Sequence, residues 1–430
     1  MINELTAEAS KALGESYGDS PRLAELRTAG MAAAERLEMP APIQRPWKYL
    51  DVTNFDMGRY HPATTTPSRA DASALSREYG ILDPVAGALF QVDGTTVAST
   101  VVADGLSLAD VAEAGGELRG LIDTRLADAL APDRDRFAAV HYAFLRGGVA
   151  VHAAANAEIA EPAWIVRDYR EAGQLATPHT LIVTGANSRL TVVEDFRSNE
   201  AEILAVPIAE IFVGEGSVVR YITLHRWGAQ TRVFGGQKAI TERDAEFAGM
   251  AMVTGGLIVK EHVESAISGR GSGSELYAVV AGNGKQHIDF DTLQDHIGRD
   301  TRSDLLFKSA LADQSRSVYY GVTMVRHEAR GADANQENRN LLLSREAKAD
   351  SDPVLEILTN DVIRCAHGAT AGPVDDEQLF YMQSRGLTRA QAVALLVRGF
   401  LGEVLDRIPG EALHEYLAGV LEEKLVEMGR

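Results

Sequence analysis

Ile182-Val183-Thr184-Gly185-Ala186-Asn187-Ser188 returns, altered, as Ile211-Phe212-Val213-Gly214-Glu215-Gly216-Ser217 and again as Ala266-Ile267-Ser268-Gly269-Arg270-Gly271-Ser272. The glycines 185, 214 and 271 lie 29 and 57 residues apart, and 57 is close to twice 29, which predicts a degenerate copy near Glu242. A period of this size, built from strand and turn residues without helical patterns between copies, points to a β-solenoid whose coils bury inward side chains against one another. The competing fold is a two-sheet sandwich. It would show independent hairpins, yet two-residue Asn-Gly turns are rare here.

Around this repeat, strand chemistry begins near His141, with clear runs at Leu190 to Phe196, Val218 to Leu224 and Leu276 to Val280. The first forty residues carry apolar positions at Leu13, Leu23, Leu26, Met31 and Leu37 and read as two short helices. Pro40 to Tyr60, with three prolines and Trp47-Lys48-Tyr49, reads as a loop, and residues 72 to 135 mix short helical and strand-like pieces. After Asp375 helices return. Thr388 and Gln391 have the form of a capping box ahead of an apolar face from Val393 to Ile408. A helix Glu377 to Arg385 precedes it and another runs from Glu411 towards Met428. These helices are expected to close the end of the solenoid and shield its strand edge. The expected division is 1–135 helical and mixed, 136–370 solenoid, 371–430 helical.

The chain has 430 residues, 45% hydrophobic and 24% charged, as a folded protein should. A formal charge of -19 argues against a nucleic-acid partner. Glu4 and Glu8 sit where a secretory leader would be basic, and no apolar run is long enough to span a bilayer, so no membrane association is expected. Cys365 is the single cysteine, which excludes an internal disulfide and makes the cytoplasm the expected compartment. No phosphate-binding loop, dinucleotide fingerprint, Gly-x-Ser-x-Gly elbow, Cys-x-x-Cys or His-Glu-x-x-His is present. The chain is therefore expected to bind no nucleotide, and any ATP that drives its work is hydrolysed by another chain.

Three clusters carry candidate chemistry. In Gln286 to Asp291 the period of two places His287, Asp289 and Asp291 on one strand face, with Asp295 and His296 just beyond. Imidazole and carboxylate together suit a divalent metal; a polar ladder on the solvent side is the structural alternative. Cys365 and His367 share a face two residues apart, ahead of Gly368, where the chain is expected to switch from strand to helix. Thiolate and imidazole make an iron ligand pair, against the alternatives of a buried apolar cysteine and a backbone-bonded histidine. Asp333 to Asn340 is dense in amides and reads as a hydrogen-bonded ladder along the solenoid.

The blocks His287-Ile288-Asp289, Gln336 to Ser344, Cys365 to Thr370 and Leu379 to Gly386, in that order, resemble the SufB/SufD family of iron–sulfur cluster assembly proteins. Trp47-Lys48-Tyr49 and Ala143 to Val149 are weaker echoes, and Gly368 is similar to the SufD type, where SufB-type chains usually carry Glu. The resemblance implies a right-handed parallel β-helix between helical regions. It also implies a scaffold rather than an enzyme, paired with a SufB-type subunit and docked to a SufC-type ABC ATPase near the C-terminal helices. His367 would face the nascent, transient cluster shared with the partner subunit; Cys365 occupies the matching cysteine position, and a flavin could enter through the complex. Pro373 departs from the family pattern. The rivals are a SufB-like homodimeric scaffold and a metal-dependent polysaccharide lyase using Asp289, Asp291 and Asp295 as ligands, with Lys260 or Arg299 as base.

Overall fold

The computed structural model describes residues 5–429, so Glu4 lies outside the described residues. The molecule is mainly β: about eight coils of solenoid stand between N-terminal and C-terminal helices. A ten-stranded and an eleven-stranded sheet form its two long walls, and successive strands alternate between them, so that each coil adds a strand to both. His287–His296, for example, lies parallel and in register between Ile258–Ile267 and Arg316–Val325. Side chains alternate along each strand. Leu305 and Phe307 enter the lumenal core, while Leu306 faces outward to the C-terminal helices.

The repeat that announced the fold is a stacked turn. Asn156, Asn187, Gly216, Asp244, Gly271, Asp300 and Gly331 have φ between 55° and 77°, a region that glycine enters freely and Asn or Asp tolerate. Their amides continue the ladder around the corner: Asn187 donates to Glu215 O at 2.8 Å, Gly216 to Arg243 O at 2.9 Å and Asp244 to Arg270 O at 3.0 Å. The degenerate copy expected near Glu242 is this turn, hidden because Glu242 stands where Gly185, Gly214 and Gly269 stand and Asp244 where Gly216 and Gly271 do.

Ahead of the solenoid stand Ala7–Tyr17 and Pro21–Arg36, the two expected helices. The sheets start earlier than residue 136. Gly87–Val92 pairs in parallel with Ala163–Tyr169, and Leu106–Asp110 pairs antiparallel with Gly148–Ala153, while Arg136–Ala143 is helical. Gly87–Val92 is buried almost throughout, so it lacks the polar alternation that marks a strand in sequence. The loop after the second helix straps the outer face of the eleven-stranded sheet. Trp47 stacks on Phe137 with centroids 5.7 Å apart, and Lys48 Nζ reaches Asp352 of the last coil at 3.0 Å.

The C-terminal helices Asp376–Ser384, Arg389–Leu405 and Glu411–Glu427 form where expected, and the Thr388–Gln391 capping box is present. They do not close the solenoid's end. Val397, Leu401 and Leu417 pack on Ile222, Met250, Tyr277 and Leu306, across the outer face of the ten-stranded sheet. The reason lies in that face. It is apolar at those positions, whereas the outward residues of Ala332–Leu342 are Asp333, Asn335, Glu337 and Arg339, with only Leu341 at the strand's end adding apolar surface to the helices. Among the described residues no helix is long and apolar enough to cross a membrane.

Candidate functional site

The two sheets end on Lys348–Ile357 and Val362–Pro373, each paired on one side only. Val362–Pro373 runs through Gly368 without a switch to helix; Pro373, which cannot donate to a ladder, closes the strand, and helix begins at Asp376. Register fixes the direction of its side chains. Leu305 and Phe307 face the lumen, Gln336 and Asn338 pair with them, and His367 and Ala369 pair in turn with those. Cys365 pairs with Ala334, in the neighbouring column of the same lumenal side. The thiol and the imidazole therefore share a face, as expected, and that face is the inside of a coil with no further coil above it.

The two side chains differ in surroundings. His367 is exposed, while Cys365 is half-buried against Val325, Ala329 and Ala332. Burial, helped by the Asp333 carboxylate, pushes the Cys365 thiol above its ordinary range, so this cysteine is not activated by its own chain. Gly368 beside them is open, and a Cβ there would meet nothing within 4 Å. Ile363, 74% exposed, and the half-exposed Ile357 and Leu358 set apolar surface around the same edge. Beneath them the amide-rich strand bonds along itself, up to the final strand and across the lumen to Ser351. Asn340 Nδ2 reaches Asn338 Oδ1 at 2.8 Å and Thr370 O at 3.1 Å, and Ser351 bonds Asn338.

His287, Asp289 and Asp291 do share one face, but it is an outer face buried beneath the Trp47 strap rather than a solvated ladder. A cation of the protein already sits there. Lys260 Nζ lies 3.0 Å from Asp289 Oδ1 and 3.2 Å from Asp291 Oδ2, with the Trp47 ring centroid at 4.9 Å. Burial would lower the Lys260 pKa, but Asp291 and Asp289 outweigh it and hold the ammonium protonated. Burial likewise opposes charge on His262, and Asp291, to which it bonds, outweighs this. Asp295 is forked by Arg326 at 2.8 and 2.9 Å, and His296 turns to the lumen to bond Thr301 and Ser303. Among the described residues no group of three or more His, Cys, Asp or Glu is set to hold a metal ion. The lyase alternative thus finds its base Lys260 protonated and its three carboxylates paired, while Arg299 stands exposed on a corner turn.

Residues 167–400, more than half of the chain, match the family described as SUF system FeS cluster assembly, SufBD core domain. The chain belongs to the SufB/SufD family. Over 97% of its length and 97% of the relative's it is 26% identical to the iron–sulfur cluster assembly protein SufD of Bacillus subtilis. It is 30% identical to a SufBD family protein of Mycobacterium tuberculosis over 70% of this chain and 77% of that one. The SufB of Bacillus subtilis is 26% identical over 72% of this chain. The chain is SufD-like within the family, and a role in iron–sulfur cluster assembly follows. Sequence reading of this SufB/SufD chain missed the Lys260 counter-ion and the His262 bond. The 29-residue offsets from Lys260 to Asp289 and from His262 to Asp291, the solenoid period itself, were the available signal.

Proposed function

We propose that this chain is the SufD-like component of a SufBCD-type scaffold, working in the cytoplasm without catalysing a reaction by itself, and that its open end pairs with a SufB-type subunit. The uncovered last coil carries this reading. Two unpaired strand edges ringed by Ile357, Leu358 and Ile363 are a liability in a lone chain and a template for strand addition by a partner. In isolation the same edge suits a second copy of the chain. His367 then stands at the seam with a nitrogen suited to iron, and Cys365 lies two residues away on the same lumenal side, so a nascent cluster, the cargo of the complex, would be held between the chains. Phe380 and Tyr381, 74% and 59% exposed on Asp376–Ser384, support the docking of a SufC-type ATPase on the C-terminal helices.

Affinity purification of the tagged chain, co-expressed with a SufB-type subunit and a SufC-type ATPase, should bring down both. Recovery of the chain alone would end the scaffold reading. His367→Ala should leave that complex intact and cut the yield of reconstituted cluster, and an unchanged yield removes His367 from the cluster site.

A further inference from the structure

Gln336 is a lumenal residue, 1% exposed, in the last complete coil. Its Nε2 donates to the Tyr319 hydroxyl at 2.6 Å, and that hydroxyl lies 3.2 Å from Thr292 Oγ1. Its Oε1 is buried with no hydrogen-bond partner among the described residues. A buried acceptor left unpaired costs about 1–3 kcal/mol, so the position calls for a donor. The register neighbour of Gln336 on the final strand is His367, on the same lumenal column and about 4.8 Å away in the ladder direction. Gly321 makes the arrangement possible, because a Cβ there would collide with both the Tyr319 hydroxyl and Gln336 Nε2. With Nε2 tied down to Tyr319, Oε1 has no donor among the described residues, and His367 is the register neighbour from which one could come.

We propose that Gln336 is a positioning residue whose Oε1 accepts the ring N–H of His367 and leaves the second ring nitrogen, unprotonated, facing the seam. Ligating histidines depend on such an outer acceptor to fix tautomer and ring orientation. The amide-rich strand then has a task beyond filling the lumen. The inference rests on His367 as a cluster ligand, but its first test does not involve iron.

Histidine-selective 15N labelling of the full chain reports the tautomer of each imidazole, with the His367→Ala spectrum assigning the signal. The wild type should show one neutral tautomer at His367. Gln336→Leu should give a mixture, while Gln336→Glu, which keeps an acceptor in the same place, should restore the single form. Tyr319→Phe, which frees the amide to turn, should also give a mixture and serves if Gln336→Leu does not fold. Identical His367 signals in the wild type and these variants overturn the proposal. In the assembled complex, a tautomer effect combined with full cluster yield from His367→Ala would retire the ligand reading and leave the positioning intact.

Discussion

His287-Ile288-Asp289 and Cys365-Ala366-His367 both set potential ligands two residues apart on a parallel strand, and the fold treats them in opposite ways. The first lies mid-solenoid, where strands on both sides and the Trp47 strap supply its partners, so its carboxylates are spent on Lys260 and His262. The second lies on the terminal strand, where the next coil is absent and the imidazole stays exposed. Position in the stack, more than residue type, separates a structural charge cluster from a site left open for something else.

The largest effect should come from breaking the closed cluster. Lys260→Met strands two buried carboxylates and should cost about 3–5 kcal/mol in denaturant-induced unfolding. Adding Asp289→Asn should recover part of the loss, because the two residues share one interaction. A cost below about 1 kcal/mol would show that the cluster is not closed and reopen it as a ligand site.

Acid sharpens the contrast along the lumen. Burial pushes His225 down to about 3 and His296 down to about 4, against about 6.5 in an unfolded chain. Below about pH 6.5 the unfolded state therefore binds more protons than the folded one. Their contribution is complete above that value and is lost as pH falls towards 4 and then 3. Thermal melts between pH 7 and 4 should show Tm falling with pH, and replacing His296 should flatten the slope.

The smallest stability effect belongs to the open site. His367→Ala should lower unfolding free energy by no more than about 1 kcal/mol, since the exposed side chain packs little and its loss opens Gln336 Oε1 to water at the uncovered coil. A larger loss would mean that the imidazole is structural.

Much of this was legible in the sequence because the solenoid repeats its turn. Gly185, Gly214 and Gly271 gave the period, the capping box gave the long C-terminal helix, and the Cys365 to Thr370 block marked the final strand. Two things were not. The C-terminal helices carry an apolar face, but nothing local says whether it meets a sheet face or a sheet end; the polar outer face of Ala332–Leu342 decides that only in three dimensions. The Lys260 to Asp289 pair joins neighbouring coils, so no single-strand pattern displays it. Gly368 misled as a helix switch because glycine punctuates both loops and open edges.

Hydrogen exchange of the chain alone and after mixing with a SufB-type subunit tests the open end most directly. Assembly through that end predicts new amide protection in Lys348–Ile357 and Val362–Pro373, with the mid-solenoid strands unchanged. Protection that appears only on other surfaces, with both edge strands exchanging as before, would contradict it.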